Sequence, residues 1–203
     1  MHFISLNEEN VCPVNTQTQT ILLEGEEVLR VVKGAKIHQF DENTYARVRG
    51  VEFHNGTLEV SVRSRLLPDA PDFARGFIGI AFRCNTDNSF FESFYIRPTN
   101  AMSNDPARRA HGCQYFAYPT YTFSYFREQN ISLYEAPIDS GLDQWVTLRA
   151  VLQGDRGEFY VGDSLTPTLV VEHLLHGEGK PGGVGLFVDI GTEGFFKDLR
   201  IES

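Results

Sequence analysis

Between Phe90 and Tyr121 the chain gathers planar rings and directional hydrogen-bonding groups more densely than anywhere else. Glu92, Tyr95, Arg97, Asn100, Asp105, Arg108, Arg109, His111, Gln114, Tyr115, Tyr118 and Tyr121 all fall within it. Rings supply flat apolar area, and Arg, Asn, Gln and Glu supply fixed donors and acceptors. That mixture suits a polyol, a sugar above all. It does not separate a sugar that is held from one that is cut.

If residues 90–97 form a regular strand, Phe91, Ser93, Tyr95 and Arg97 share one face, and Phe90, Glu92, Phe94 and Ile96 share the other. Glu92 then sits in apolar company, where a carboxylate is either paired or raised in pKa. Three roles fit it: a structural ion pair with an Arg of a neighbouring strand, a ligand contact if a bulge swings it toward Arg97, or a general acid. Pro98 forces an extended exit and leaves Arg97 at the strand end beside a long loop, either as a binding group or as a tether for that loop. His111 lies in the same polar-aromatic loop, as a ligand contact or a local hydrogen-bonding group. No Ser/His/Asp arrangement can be assembled.

The ligand set read from this segment is Glu92, Tyr95, Arg97, Asn100, Arg108, His111, Gln114, Tyr115 and Tyr118. Arg97, Asn100, Arg108, His111 and Gln114 would hydrogen-bond hydroxyls, and Tyr95, Tyr115 and Tyr118 would stack on sugar rings. The catalytic candidates are Glu92 as acid/base, with His111 or Asp105 as its helper.

Period-two alternation is the signal for the elements that must carry these groups. In Thr57–Arg65, Leu58, Val60 and Val62 point one way and the polar residues point the other. Trp145–Leu152 repeats the pattern with Val146, Leu148, Ala150 and Leu152, and Phe77–Cys84 does so with Ile78, Ile80 and Phe82. Further strands are expected at 28–32, 44–49, 90–97, 114–118, 157–161, 168–171, 183–188 and 195–201. Turn residues separate them, as in His54-Asn55-Gly56 and Lys180-Pro181-Gly182-Gly183. Asp105 followed by Pro106 predicts one helical turn to Ala110. Many short strands at near-regular spacing predict an all-β sandwich or barrel. Residues 1–20, polar and rich in Thr, Gln and Asn, read as an N-terminal arm, with one sandwich domain over 21–203.

The 203 residues carry 18 Lys and Arg against 27 Asp and Glu, a net charge of −9. That field opposes nucleic acid and anionic membrane surfaces as partners. No apolar run approaches membrane-spanning length, and no basic start with a following apolar run marks a signal peptide, so the default address is cytoplasmic. The oligomeric state is not readable. Cys12, Cys84 and Cys113 show no metal or disulfide spacing and read as free thiols. His173 and His176 sit three apart in what reads as a turn.

Five segments together resemble the concanavalin A-like lectin/glucanase superfamily. They are FHNGTLEVSVRSR (53–65), GFIGIAFRC (76–84), FYIRPTN (94–100), QWVTLRAVLQGDRGEFYVGD (144–163) and GGVGLFVDIGTEGFFKDLRIES (182–203). The chain is similar in particular to its laminin-G-like branch and to the domains of 3-keto-disaccharide hydrolases. The resemblance covers residue 25 or so to the end. It implies a jelly-roll sandwich of two curved antiparallel sheets, with carbohydrate or an oligosaccharide on the concave sheet or its rim. The retaining glucanases of that superfamily carry Glu-x-Asp-x-x-Glu on one strand, and no such run occurs here. Binding by a lectin-like domain is therefore the leading expectation, glycoside hydrolysis through Glu92 the second, and a protein-interaction domain the third. Members often hold a structural Ca²⁺ near the termini, for which Glu24, Glu26 and Asp198 are the oxygens at hand. No metal ligand or cofactor is assigned.

Overall fold

The alternating runs fold as strands. The computed structural model describes residues 2–34 and 39–203. In chain order the strands are β1 (His2–Ile4), β2 (Val11–Val14), β3 (Thr16–Leu23), β4 (Glu26–Lys33), β5 (Tyr45–Val48), β6 (Gly56–Leu66), β7 (Ile78–Cys84) and β8 (Phe91–Ile96). They continue as β9 (Cys113–Tyr118), β10 (Glu135–Ala136), β11 (Val146–Gln153), β12 (Arg156–Val161), β13 (Leu169–Val171), β14 (Gly183–Val188) and β15 (Thr192–Glu202). Three short helices lie in the connections: α1 (Pro98–Ala101), α2 (Pro106–Arg109) and α3 (Phe123–Glu128). At α2 the Asp105 side chain accepts the Ala107 N–H at 2.9 Å and Pro106 takes the first helical position, as the sequence predicts.

Two antiparallel sheets form the expected all-β jelly-roll sandwich. The eight-stranded sheet runs β13-β12-β11-β6-β15-β4-β3, with β1 beside the distal half of β15. The seven-stranded sheet runs β10-β9-β8-β7-β14-β5-β2. Between them lie the side chains that alternation assigns inward, among them Leu58, Val60, Val62, Ile80, Phe82, Phe94, Leu148 and Ala150. Each fully buried residue of the larger kinds contributes about 1.5–3 kcal/mol. A second apolar cluster covers the outer face of the seven-stranded sheet: Tyr45, Phe91, Tyr95, Phe116 and Phe187, joined by Phe77 and by Phe126 of α3.

Residues 2–20 are not a loose arm. β1 pairs with β15, β2 with β5 and β3 with β4. In β3 the β-branched Thr16, Thr18 and Thr20 are half-buried while Gln17 and Gln19 are exposed. This is the same alternation written in polar residues at a sheet edge, so the sandwich includes the segment expected to lie outside it. Among the described residues no helix is long and apolar enough to cross a membrane.

Candidate functional site

The register of the seven-stranded sheet lines up one row of residues on its outer face. Tyr45 lies opposite Phe187, Phe187 opposite Gly79, Gly79 opposite Tyr95, Tyr95 opposite Gln114, and Gln114 opposite Glu135. The row is aromatic at its β5 end and polar at its β10 end. β8 stops before Pro98, and the Arg97 guanidinium lies against the polar end. Its Nη1 donates to Glu135 Oε1 at 2.6 Å, and its Nη2 donates to the Tyr95 hydroxyl at 2.8 Å and to Gln114 Oε1. Burial by itself would lower the pKa of Arg97. Tyr95, Glu135 and Asp41 outweigh that and raise it.

Glu135 is a shared acceptor. Arg127 of α3 donates to its Oε1 at 2.8 Å, and His111 Nδ1 lies 2.9 Å from its Oε2. Gln114 passes the network on by donating to Asp41 Oδ2 at 3.2 Å, an oxygen that also accepts the Phe123 N–H at 2.5 Å. Asp41 donates its own N–H to Asp189, whose carboxylate also holds the Lys33 ammonium. Asp41 is fully buried. That burial, and then the charge of Asp189, push its pKa up to about 7. A second chain of bonds runs through the 98–111 loop: Asn100 donates to the His111 carbonyl at 2.8 Å, and Arg108 donates to Asn100 Oδ1 at 3.0 Å.

Above this network opens a hollow of about 370 Å³. Of the residues singled out in the sequence, it brings together Tyr95, Arg97, Asn100, Arg108 and His111. It adds Phe40, Phe73, Arg75, Phe77, Phe123 and Arg127, which sequence reasoning did not assign to the ligand set. Phe40 is the hub of the rings, with centroids 5.7 Å from Phe73, 5.7 Å from Phe77 and 5.4 Å from Phe123. Phe123 carries the guanidinium of Arg127 at 4.9 Å and that of Arg97 at 5.4 Å. Phe73 is 50% exposed and offers an open ring face. Among the described residues, the lining contains no carboxylate, hydroxyl nucleophile or thiol apart from the Tyr95 phenol.

Five expected ligand residues, Glu92 among them, lie elsewhere or out of reach. Tyr115 is wholly buried between the sheets, donating its hydroxyl to Glu92 and accepting the Leu175 N–H, so it offers no stacking face. Gln114 is fully buried beneath Arg97 and acts by holding that guanidinium. Tyr118 lies outside the hollow, stacked on Phe91 at 5.1 Å with its hydroxyl on Glu42. Tyr95 does line the hollow but is 1% exposed, so it supports Arg97 rather than presenting a platform.

Glu92 faces the sandwich interior, paired with Arg83 at 3.4 Å and bonded by Tyr115. Burial raises its pKa against the opposing pull of those two partners. Of its three roles, the geometry matches the structural ion pair. It borders a wider rim hollow of about 760 Å³, where His176 stacks on Phe90 with centroids 3.6 Å apart. Burial, then Arg83, hold the pKa of His176 down to about 4. That rim lies at the far end of β7 and β8 from Arg97, since Phe82 pairs with Glu92 and Ile78 with Ile96. The expected partnership of Glu92 with His111 is therefore not formed: His111 serves Glu135, and Asp105 caps α2. Of the three residues weighed for a cation, Glu24 pairs with Arg63 and Glu26 with Lys197, while Asp198 lines a surface hollow beside Glu26 and Lys197.

No family model matches the chain, and no curated protein matches it either. Solved structures do. The carbohydrate-binding module CBM66 from Bacillus subtilis is similar with a TM-score of 0.62 at 15% identity, with 96% of each chain covered. A protein provisionally described as a glycosyl hydrolase, from Parabacteroides distasonis, gives 0.55 at 14% identity over 100% of both chains. A Bacillus subtilis protein of unknown function with a galectin-like fold gives 0.50 at 8% identity, covering 99% of this chain and 98% of that one. At such identities the likeness is one of fold. That fold, a sandwich of two antiparallel sheets, is the one the sequence resemblance implies.

Proposed function

We propose that the protein binds a carbohydrate in the hollow beside Arg97 and does not cleave it. The observation that carries this reading is the lining itself. Planar donors held by their own networks meet the half-exposed ring of Phe73 and the partly buried rings of Phe40 and Phe123, and no carboxylate stands among them. Apolar CH faces of a pyranose pack on flat rings, and guanidinium and amide groups bond its hydroxyls in fixed directions. Glycoside cleavage would ordinarily need a carboxyl pair about 5–10 Å apart flanking the sugar. Two carboxyl groups lie behind the lining: Glu135 is held by Arg97, Arg127 and His111, and Asp41 is fully buried beneath Phe123 and Gln114. That the similar CBM66 is a carbohydrate-binding module adds support.

The test uses Phe73→Ala. Its ring is half exposed, so its loss costs the fold less than about 1 kcal/mol. A lost stacking face weakens glycan binding about tenfold. Calorimetric titration against a panel of oligosaccharides reads the affinity, and thermal unfolding reads the fold. Undiminished binding by the variant would remove the hollow from the reading.

A further inference from the structure

The charges around the hollow do not balance. Four guanidiniums line it, those of Arg75, Arg97, Arg108 and Arg127. Arg97 and Arg127 share the carboxylate of Glu135. Arg75 and Arg108 have no carboxylate within ion-pair distance among the described residues, and residues 35–38 bring no acidic side chain. Among the described residues, Arg75 donates only to the backbone carbonyls of Asp72 and Ala74, at 2.7 and 2.8 Å. Among the same residues, Arg108 donates only to the neutral oxygens of Asn100 and Thr99. Both are half-buried. Burial, then the charges of Arg108 and Arg97, lower the pKa of Arg75, as expected of a guanidinium facing other cations without an anion. This excess of positive charge occurs on a chain whose net charge is −9.

Desolvated cations are ordinarily paired, and a guanidinium fork matches the planar geometry of a carboxylate. We propose, building on the carbohydrate reading above, that the preferred ligand is an acidic saccharide, whose uronate carboxylate bridges Arg75 and Arg108 while a ring face rests on Phe73. Neutral sugars would satisfy these guanidiniums through hydroxyls alone, a weaker bond than one between two charged partners. The hydrogen bonds already made to Asn100, Thr99 and the backbone hold the two forks in place, so little ordering is needed on binding.

The test titrates the protein with uronate trisaccharides (galacturonate, mannuronate, glucuronate) and with the carboxyl-reduced form of each, which differs only in the charged group. At least one uronate should bind tenfold or more tightly than its reduced form. Arg75→Gln/Arg108→Gln should bring that ratio toward one, with thermal unfolding as the check on folding. Equal binding of the two forms would overturn the acidic preference and leave the carbohydrate reading standing. No binding by either form of any pair would overturn both. A preference that survives in the double variant would overturn the assignment to these two arginines. Acetate or sulfate protecting against heat as well as the uronate does would overturn the saccharide.

Discussion

One carboxylate, that of Glu135, serves two arginines in different surroundings. The side chain of Arg97 is 3% exposed and that of Arg127 is 38% exposed. Removing one member of a buried pair strands the other charge away from water, which costs about 3–5 kcal/mol. An exposed pair contributes about 0–1 kcal/mol. Arg97→Ala should therefore lower unfolding stability by several times as much as Arg127→Ala. Urea titrations measure both, and equal losses would show that the network does not isolate Arg97 from solvent. Asp41 gives a second expectation, in pH. Its native pKa of about 7 lies above the ordinary 3.8, so between those values the folded chain keeps a proton that the unfolded chain releases. Stability contributed by this group is thus present in full below pH 3.8 and is lost as pH rises to 7. Asparagine has no proton to release. Asp41→Asn should gain on the parent protein between pH 5 and pH 8, by on the order of 1–4 kcal/mol. An offset that is the same at both pH values would mean the carboxyl titrates normally. The sequence placed Arg97, Asn100, Arg108 and His111 together because they crowd one loop. It did not reveal Phe40, Phe73 or Arg75, because they arrive from loops about 20 residues or more upstream. Nor did it reveal that Tyr115 points inward to hold Glu92. Alternation does set Tyr115 opposite Gln114, but parity alone does not say which side faces the ligand.

At the level of elements, legibility followed apolar alternation. β6, β7, β11 and β14 read clearly because one or both faces are buried and carry Val, Ile, Leu or Phe. β1, β2 and β3 were hidden because edge strands bury little and their inward positions hold Thr or isolated apolar residues. β10, two residues long, has no periodicity to read, yet it supplies Glu135. Gly79 shows how an element can depend on a missing side chain. It lies between Phe187 and Tyr95 in the outer row, and those two rings approach to 5.5 Å. A Cβ there would sit 2.2 Å from the Phe94 carbonyl oxygen and 2.5 Å from Tyr95 Cβ. Gly79→Ala must therefore push β7 and β8 apart or shift their register, an overpacking cost of about 1–3 kcal/mol. A lowered guanidinium midpoint with an unchanged denaturant slope is the expected result. A midpoint equal to that of the parent would mean the β7–β8 pair yields without cost.

For the molecule as a whole, two fields compete. The net charge of −9 repels an anion at long range, while the uncompensated guanidiniums of Arg75 and Arg108 attract it at short range. Salt separates the two by distance. The screening length is about 30 Å at 0.01 M and about 8 Å at 0.15 M. At low salt an approaching uronate oligosaccharide feels the whole molecule. At physiological salt it feels little beyond the mouth of the hollow. Raising salt over that range should therefore speed its association, by roughly twofold or more, whereas a ligand steered by a net-positive protein would be slowed. The carboxyl-reduced sugar should show no such change. Dissociation should respond less than association, because contacts at hydrogen-bond distance inside a half-buried hollow are weakly screened. Surface-immobilised protein and a salt series would give both rates. An association rate that falls steadily with salt would mean that the attraction around Arg75 and Arg108 extends well beyond the hollow and dominates the overall charge.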